Sequence, residues 1–255
     1  MSLEIVRVPC LKDNYAWIAH DPSSGATAVI DVPDAAPILS ELQSRDWTLG
    51  EIFITHHHWD HIDGVEALRA ATGACVTGAA ADAHRLPPLD RAVAEGDTVT
   101  IGTEMGQVID VSGHTVGHIA FHFPGAQAAF TADSLMGLGC GRLFEGTPEV
   151  MWQSLSKLAA LPPETLIFSG HEYSASNAKF ALTIEPDNAA LISRADRINA
   201  ARTRGEATIP VALSEELVTN PFLRAARAEV KRAIGLPAAS DAESFAEIRR
   251  RKDTF

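Results

Sequence analysis

The chain has 255 residues, 46% of them apolar, and sets 21 basic side chains against 33 acidic ones for a formal charge of −12. With a mean hydropathy of +0.02, this composition excludes a disordered chain, and the negative balance argues against a general nucleic-acid binder. No apolar run approaches the ~18 residues that a membrane span needs. The first residues read as neither a signal segment nor a transit peptide. Three widely spaced cysteines, Cys10, Cys75 and Cys140, are no basis for a disulfide framework. The expectation is a cytoplasmic protein, a monomer or weak homo-oligomer, with no nucleic-acid or membrane partner.

In chain order, residues 3–9, 15–20 and 26–32 are predicted as strands, the last two joined by Asp21-Pro-Ser-Ser-Gly25. A helical period over 34–45 places Ile38, Leu39 and Leu42 on one face. A short buried strand is expected at 51–55, a helix over 63–72 closed by Gly73, and a strand at 74–77. Further strands are expected at 98–101, 107–111, 118–123 and 128–131. Thr147 caps a helix with Pro148 at its first position, and 165–168 is the last strand. Everything after Tyr173 is helical in pattern, and Ser240 with Glu243 makes a capping box for the final helix. The expected division is a sheet-rich domain at 1–168 and a helical domain at 169–255.

Ten histidines are the compositional anomaly. Thr55-His56-His57-His58-Trp59-Asp60-His61 packs metal-ligand types densely at the end of one predicted strand. His114, Asp133 and His171 each follow another. In layered α/β folds such strand ends build sites. Imidazole and carboxylate without thiolate suit zinc, iron or manganese. Seven ligands are too many for one tetrahedral ion and fit two if one carboxylate bridges. His57 and Trp59 alternate with the ligand positions and are read as packing residues. His20, His84, His118 and His122 are read as non-ligands, with His118 near enough to support His114. Ser154-Leu-Ser-Lys157 is read as a solvent-facing helix stretch and Cys140 as a structural thiol.

These residues resemble the metallo-β-lactamase superfamily and, within it, the glyoxalase II family (hydroxyacylglutathione hydrolases). The superfamily pattern T-H-x-H-x-D-H is carried by Thr55 to His61. The family patterns are similar to Gly139-Cys-Gly-Arg-Leu-Phe-Glu-Gly-Thr147, Gly170-His-Glu-Tyr173 and Arg249-Arg-Arg-Lys-Asp253. The resemblance covers essentially the whole chain and implies an α+β fold, an αββα sandwich followed by a smaller α-helical domain. It implies one metal on His56, His58 and His114, another on Asp60, His61 and His171, and Asp133 bridging them. Asp60 and Asp133 would be the catalytic carboxylates, Asp60 orienting the bridging water. Zinc is the expected metal, with iron or manganese as alternatives.

The implied reaction is hydrolysis of S-D-lactoylglutathione to D-lactate and glutathione, a thioester hydrolysis of methylglyoxal detoxification. Glutathione would be bound by Arg142, Tyr173, Arg249 and Lys252. Phe144 stands where the family often has tyrosine, and Arg142 where many members have lysine, which keeps the charge but changes the geometry. A persulfide dioxygenase of the same superfamily, with a single iron, would not need Asp60 and His171 as a second site. The charge of −12 counts against a nuclease. A non-catalytic scaffold would be expected to have lost ligands, and all seven are present.

Overall fold

The computed structural model describes residues 3–255; residues 1 and 2, where the first expected domain begins, lie outside them. The chain divides into two compact units, one running up to Val111 and resuming at Val116–Ala132, the other formed by Ser112–Thr115 with Asp133–Phe255.

The first unit opens with β1 (Glu4–Cys10), β2 (Asn14–His20) and β3 (Thr27–Ile30), an antiparallel meander. Asp34 then accepts a hydrogen bond from the amide of Ala36 and starts α1 (Ala35–Arg45), which buries Ile38 and Leu42. β4 (Glu51–Phe53), α2 (Trp59–Ile62), α3 (Val65–Thr72), β5 (Cys75–Ala79) and β6 (Arg91–Val93) follow. Gly73 closes α3 with φ +73°, the left-handed region that glycine enters at no steric cost. The strands form a six-stranded sheet in the order β1-β2-β3-β4-β5-β6, with β3 to β6 parallel. Helical crossovers between parallel strands put helices on the sheet face, and Ile52 and Ile54 pack there with Ile38, Leu42, Val65 and Leu68.

The opposite face of β4 is apolar too. Phe53 stacks on Phe121 at 5.1 Å, and Phe121 belongs to a second, antiparallel sheet. That sheet contains β7 (Thr98–Ile101), β8 (Glu104–Asp110), β9 (Ile119–Phe123) and β10 (Ala128–Ala132). Burial on both faces explains why Ile52-Phe53-Ile54 reads as a continuous apolar run instead of alternating.

The second unit begins with the small hairpin β11 (Leu135–Met136) and β12 (Gly139–Cys140). Next comes α4 (Pro148–Ala159), where Thr147 accepts from the amide of Val150. β13 (Leu166–Ser169), α5 (Ser174–Ile184), α6 (Ala189–Thr203), β14 (Val211–Ala212), α7 (Leu213–Thr219), α8 (Ala228–Ala233) and α9 (Asp241–Asp253) complete it. Ala178 and Ala181 pack on Leu191, Ala195 and Ile198. Phe222 sits 6.0 Å from Phe180 and 5.9 Å from Phe245. The capping box of Ser240 and Glu243 is formed.

The α+β class and the helical C-terminal region are as expected. Three details differ. The helix expected over 63–72 starts slightly later, as α3 at Val65, and a separate one-turn helix, α2, precedes it where none was expected. The strands β6, β11 and β12 have only two or three residues each, too few to show a period. β14 interrupts the all-helical tail by pairing with β13, Leu166 opposite Ala212.

Candidate metal centre

In the first unit the parallel strand ends carry the polar chemistry. Asp31 follows β3, Thr55 to His61 follow β4, and Asp82 follows β5. Asp31, buried at φ +58°, accepts from the amide and hydroxyl of Thr55, each at 2.8 Å, and faces Nδ1 of His61 at 2.8 Å. Thr55 Oγ1 in turn meets Nδ1 of His56 at 3.0 Å. Because that hydroxyl donates to Asp31, it accepts from His56. Both imidazoles are thereby held as Nδ1–H tautomers with the lone pair on Nε2, the way a carboxylate orients histidines that bind metals. Asn14 Nδ2 donates to Asp60 twice, to Oδ2 and to the main-chain oxygen, both at 3.0 Å.

In the second unit Nδ1 of His114 donates to the carbonyl of Arg142 at 2.7 Å, again placing the lone pair on Nε2. Oδ2 of Asp133 stands 3.5 Å from Nε2 of His114 and 3.3 Å from Nε2 of His171. Gly141 lines this cluster so closely that a Cβ there would come within 2.2 Å of the Asp133 carbonyl and 2.7 Å of His114 Nδ1. Ser154, expected on a solvent face, is instead buried on α4 and donates to the carbonyl of Ser112 at 2.6 Å, two residues before His114. The helix phase turns it inward, which corrects that expectation.

The donor set fits metal ions. Two donors about 2.0–2.1 Å from one tetrahedral ion stand roughly 3.3 Å apart. His56 Nε2 and His58 Nδ1 are 3.1 Å apart, and the two Asp133 contacts are long for hydrogen bonds but match that spacing. The metallo-β-lactamase fold with these His and Asp groups suits a dinuclear site.

The other expected site residues lie in the second unit. Tyr173 stacks on His171 at 4.7 Å with nearly parallel planes, and Phe144 meets His114 edge-on at 5.4 Å. The Arg142 side chain is 58% exposed, with Nε 3.3 Å from Asp253. Arg249 is only 7% exposed; it donates to the Cys140 carbonyl at 3.0 Å and to Asp253 at 2.8 Å. Lys252 Nζ lies 5.2 Å and 5.3 Å from the rings of Phe180 and Phe255, and burial, then the Arg249 charge, lowers its pKa. Cys140 is buried, and that burial pushes its thiol up to about 11, which leaves too little thiolate at neutral pH for a nucleophile.

Sequence reasoning missed Asp31, Asn14, Asp82 and Asp253 as partners of these side chains. Asp253 stood in the R-R-x-K-D ending and was legible there; the other three carried no local signal. His57 is not a simple packing residue, since Nδ1 faces Asp82 at 2.8 Å. Trp59 does not pack inward either and is 63% exposed. His118 stacks on His56 at 4.5 Å.

Comparison with known proteins identifies the family. Residues 21–171 match the metallo-beta-lactamase superfamily and residues 172–255 match the family described as hydroxyacylglutathione hydrolase C-terminus. A hydroxyacylglutathione hydrolase of Cereibacter sphaeroides is 65% identical over 255 residues, covering all of both chains. Among solved structures, the BLEG-1 B3 metallo-beta-lactamase aligns with a TM-score of 0.67 at 20% identity, over 86% of this chain and 99% of its own. TTHA1623, solved in a di-iron-bound form, aligns with a TM-score of 0.64 at 24% identity, over 86% of this chain and all of its own. At such identity across the full length of both sequences, the chain belongs to the hydroxyacylglutathione hydrolase family.

Proposed function

We propose that the chain hydrolyses the thioester of S-D-lactoylglutathione, releasing D-lactate and glutathione, with a metal-binding catalytic domain at 1–168 and a helical substrate-binding domain at 169–255. One ion would be held by His56, His58 and His114, the other by Asp60, His61 and His171, with Asp133 common to both. Zinc suits the N and O donors, which also accept iron or manganese. The observation that carries the reading is the double use of Arg142. Its carbonyl fixes the His114 imidazole while its exposed guanidinium reaches Asp253 at the end of α9. A single residue thus links a metal ligand to a cationic group suited to a glutathione carboxylate.

When bound, two divalent ions supply a nucleophile from water at neutral pH and polarise the thioester carbonyl. Asp60, held by Asn14, orients that water. Arg142, Lys252 and Tyr173 bind the glutathione portion, and Arg249 contributes through the Cys140 loop that it fastens. A thiolate leaves without strong protonation, so no separate general acid is required. Residence in a reducing cytoplasm agrees with three cysteines that all remain thiols. No helix among the described residues is long and apolar enough to cross a membrane.

The test joins metal analysis to a thioester assay. The expected result is close to two ions per chain and turnover of S-D-lactoylglutathione, with Asp133→Ala losing both. A chain that carries two ions yet leaves the glutathione thioester intact would overturn the reaction; full metal content and turnover in Asp133→Ala would overturn the bridge.

A further inference from the structure

The turn after β5 is a 3-10 segment, Ala80–Asp82, and Asp82 on it has no exposed surface. An isolated buried carboxylate is costly unless paired. Asp82 has two cationic or protic partners: His57 Nδ1 at 2.8 Å on Oδ2 and Arg85 Nε at 2.5 Å on Oδ1. His57 stands between His56 and His58, and its ring meets that of His58 at 5.1 Å, nearly edge-on. Arg85 also donates from Nη2 to the carbonyl of Val116 at 2.9 Å. The next residue, Gly117, lies so near Asp82 that a Cβ would come within 3.0 Å of its Cβ. Val116 is two residues beyond His114 in the chain. Asp82 therefore grips the segment with His56, His58, Asp60 and His61 through one oxygen, and through Arg85 the segment that leads away from His114.

We propose that Asp82 is a positioning residue for the metal centre: with His57 and Arg85 it sets the two ligand-bearing segments and so raises metal affinity without touching a metal. The proposal rests on the ligand assignment above but not on the substrate. Asp82 orients the His57 ring beside His58 by accepting its Nδ1–H, and a neutral apolar replacement at 82 removes that contact and the one to Arg85 Nε, leaving Arg85 its reach to the Val116 segment. The buried pair alone would contribute to folding irrespective of metal, whereas positioning makes the loss fall on metal binding.

The experiment measures zinc affinity of the full-length protein by competition with a chromophoric chelator, alongside thermal unfolding of the metal-free form. Asp82→Ala is expected to weaken zinc binding about 10- to 100-fold, the usual cost of removing a carboxylate that orients ligands, and Asp82→Glu to recover part of it. His57→Phe keeps an aromatic ring but removes the hydrogen bond and is expected to give a comparable loss, so it decides the matter if Asp82→Ala does not fold. The double variant is expected to lose no more than the worse single one, since both break one contact. Zinc affinity within about 3-fold of the parent in either folded variant, or additive losses in the double, would overturn the proposal. Failure to hydrolyse glutathione thioesters with zinc affinity behaving as expected would count against the proposed reaction alone.

Discussion

Arg249 donates from Nη1 to the carbonyl of Cys140 at 3.0 Å, which fastens α9 to the loop that carries Gly141 and Arg142. The same guanidinium reaches Asp253, where Arg142 also arrives. Two of the expected glutathione-binding cations therefore differ in kind. Arg249 is a buried strut with charged hydrogen bonds, while Lys252 lies over two rings with its amine near the surface.

Arg249→Ala is accordingly expected to cost stability as well as binding. Charged hydrogen bonds contribute about 1.5–3 kcal/mol when shielded, which lowers Tm by roughly 5–10 °C at this chain length. KM for the glutathione thioester should rise about 10-fold or more. Lys252→Ala should raise KM to a similar degree with a Tm shift of only about 2 °C. Thermal melts beside steady-state kinetics check the contrast, and an Arg249→Ala protein as stable as the parent would remove the strut.

Gly141→Ala tests the close packing at the ligands. The added methyl would meet the Asp133 carbonyl and the His114 ring at distances no real contact shows. The loop must shift, and displacement of reacting groups by about 1 Å can cost on the order of 100-fold in rate. The expected outcome is metal loss on gel filtration together with a fall in kcat of at least about 10-fold. Parental metal content and kcat would show that the loop absorbs the methyl.

His122 on β9 makes the acid side of stability testable. It is buried, neither ring nitrogen has a hydrogen-bond partner, and burial lowers its pKa from 6.5. The unfolded chain therefore binds a proton near pH 6.5 that the folded chain does not. Stability is full above that pH and falls as the pH drops through 6.5 toward the lower folded value. His122→Phe removes the titrating ring. Urea midpoints between pH 5 and 8 should show the variant gaining on the parent as the pH falls; parallel curves would exclude His122 as a source of the dependence.

Legibility in the sequence followed how locally a feature is encoded. The His- and Asp-rich segment from Thr55 to His61 and the caps at Thr147 and Ser240 each sit within a few consecutive residues, so spacing alone was enough to single them out. Asp31, Asn14 and Asp82 are single polar residues in three different segments, and each looks like an ordinary turn or strand-end residue. Only the sheet pairings bring their segments together, with β3, β4 and β5 aligned in parallel and β2 beside β3. Ser154 was misplaced because its polar side chain was weighed over its phase: it lies three residues after Met151 and four before Leu158, on the same buried stripe of α4 as Leu155, and its hydroxyl is satisfied there by the Ser112 carbonyl.

The two contacts of Arg142 differ in how they respond to mutation. The bond to His114 uses a main-chain oxygen, which every amino acid supplies, whereas the reach toward Asp253 uses the side chain alone. Under the glutathione-binding role proposed for Arg142, exchange of residue 142 for lysine, glutamine or a larger group would alter which thiol carrier is recognised while the His114 imidazole stays anchored. Innovation in specificity and conservation of the chemistry are thus separable at one codon, which makes position 142 a natural starting point for directed evolution toward other thioesters.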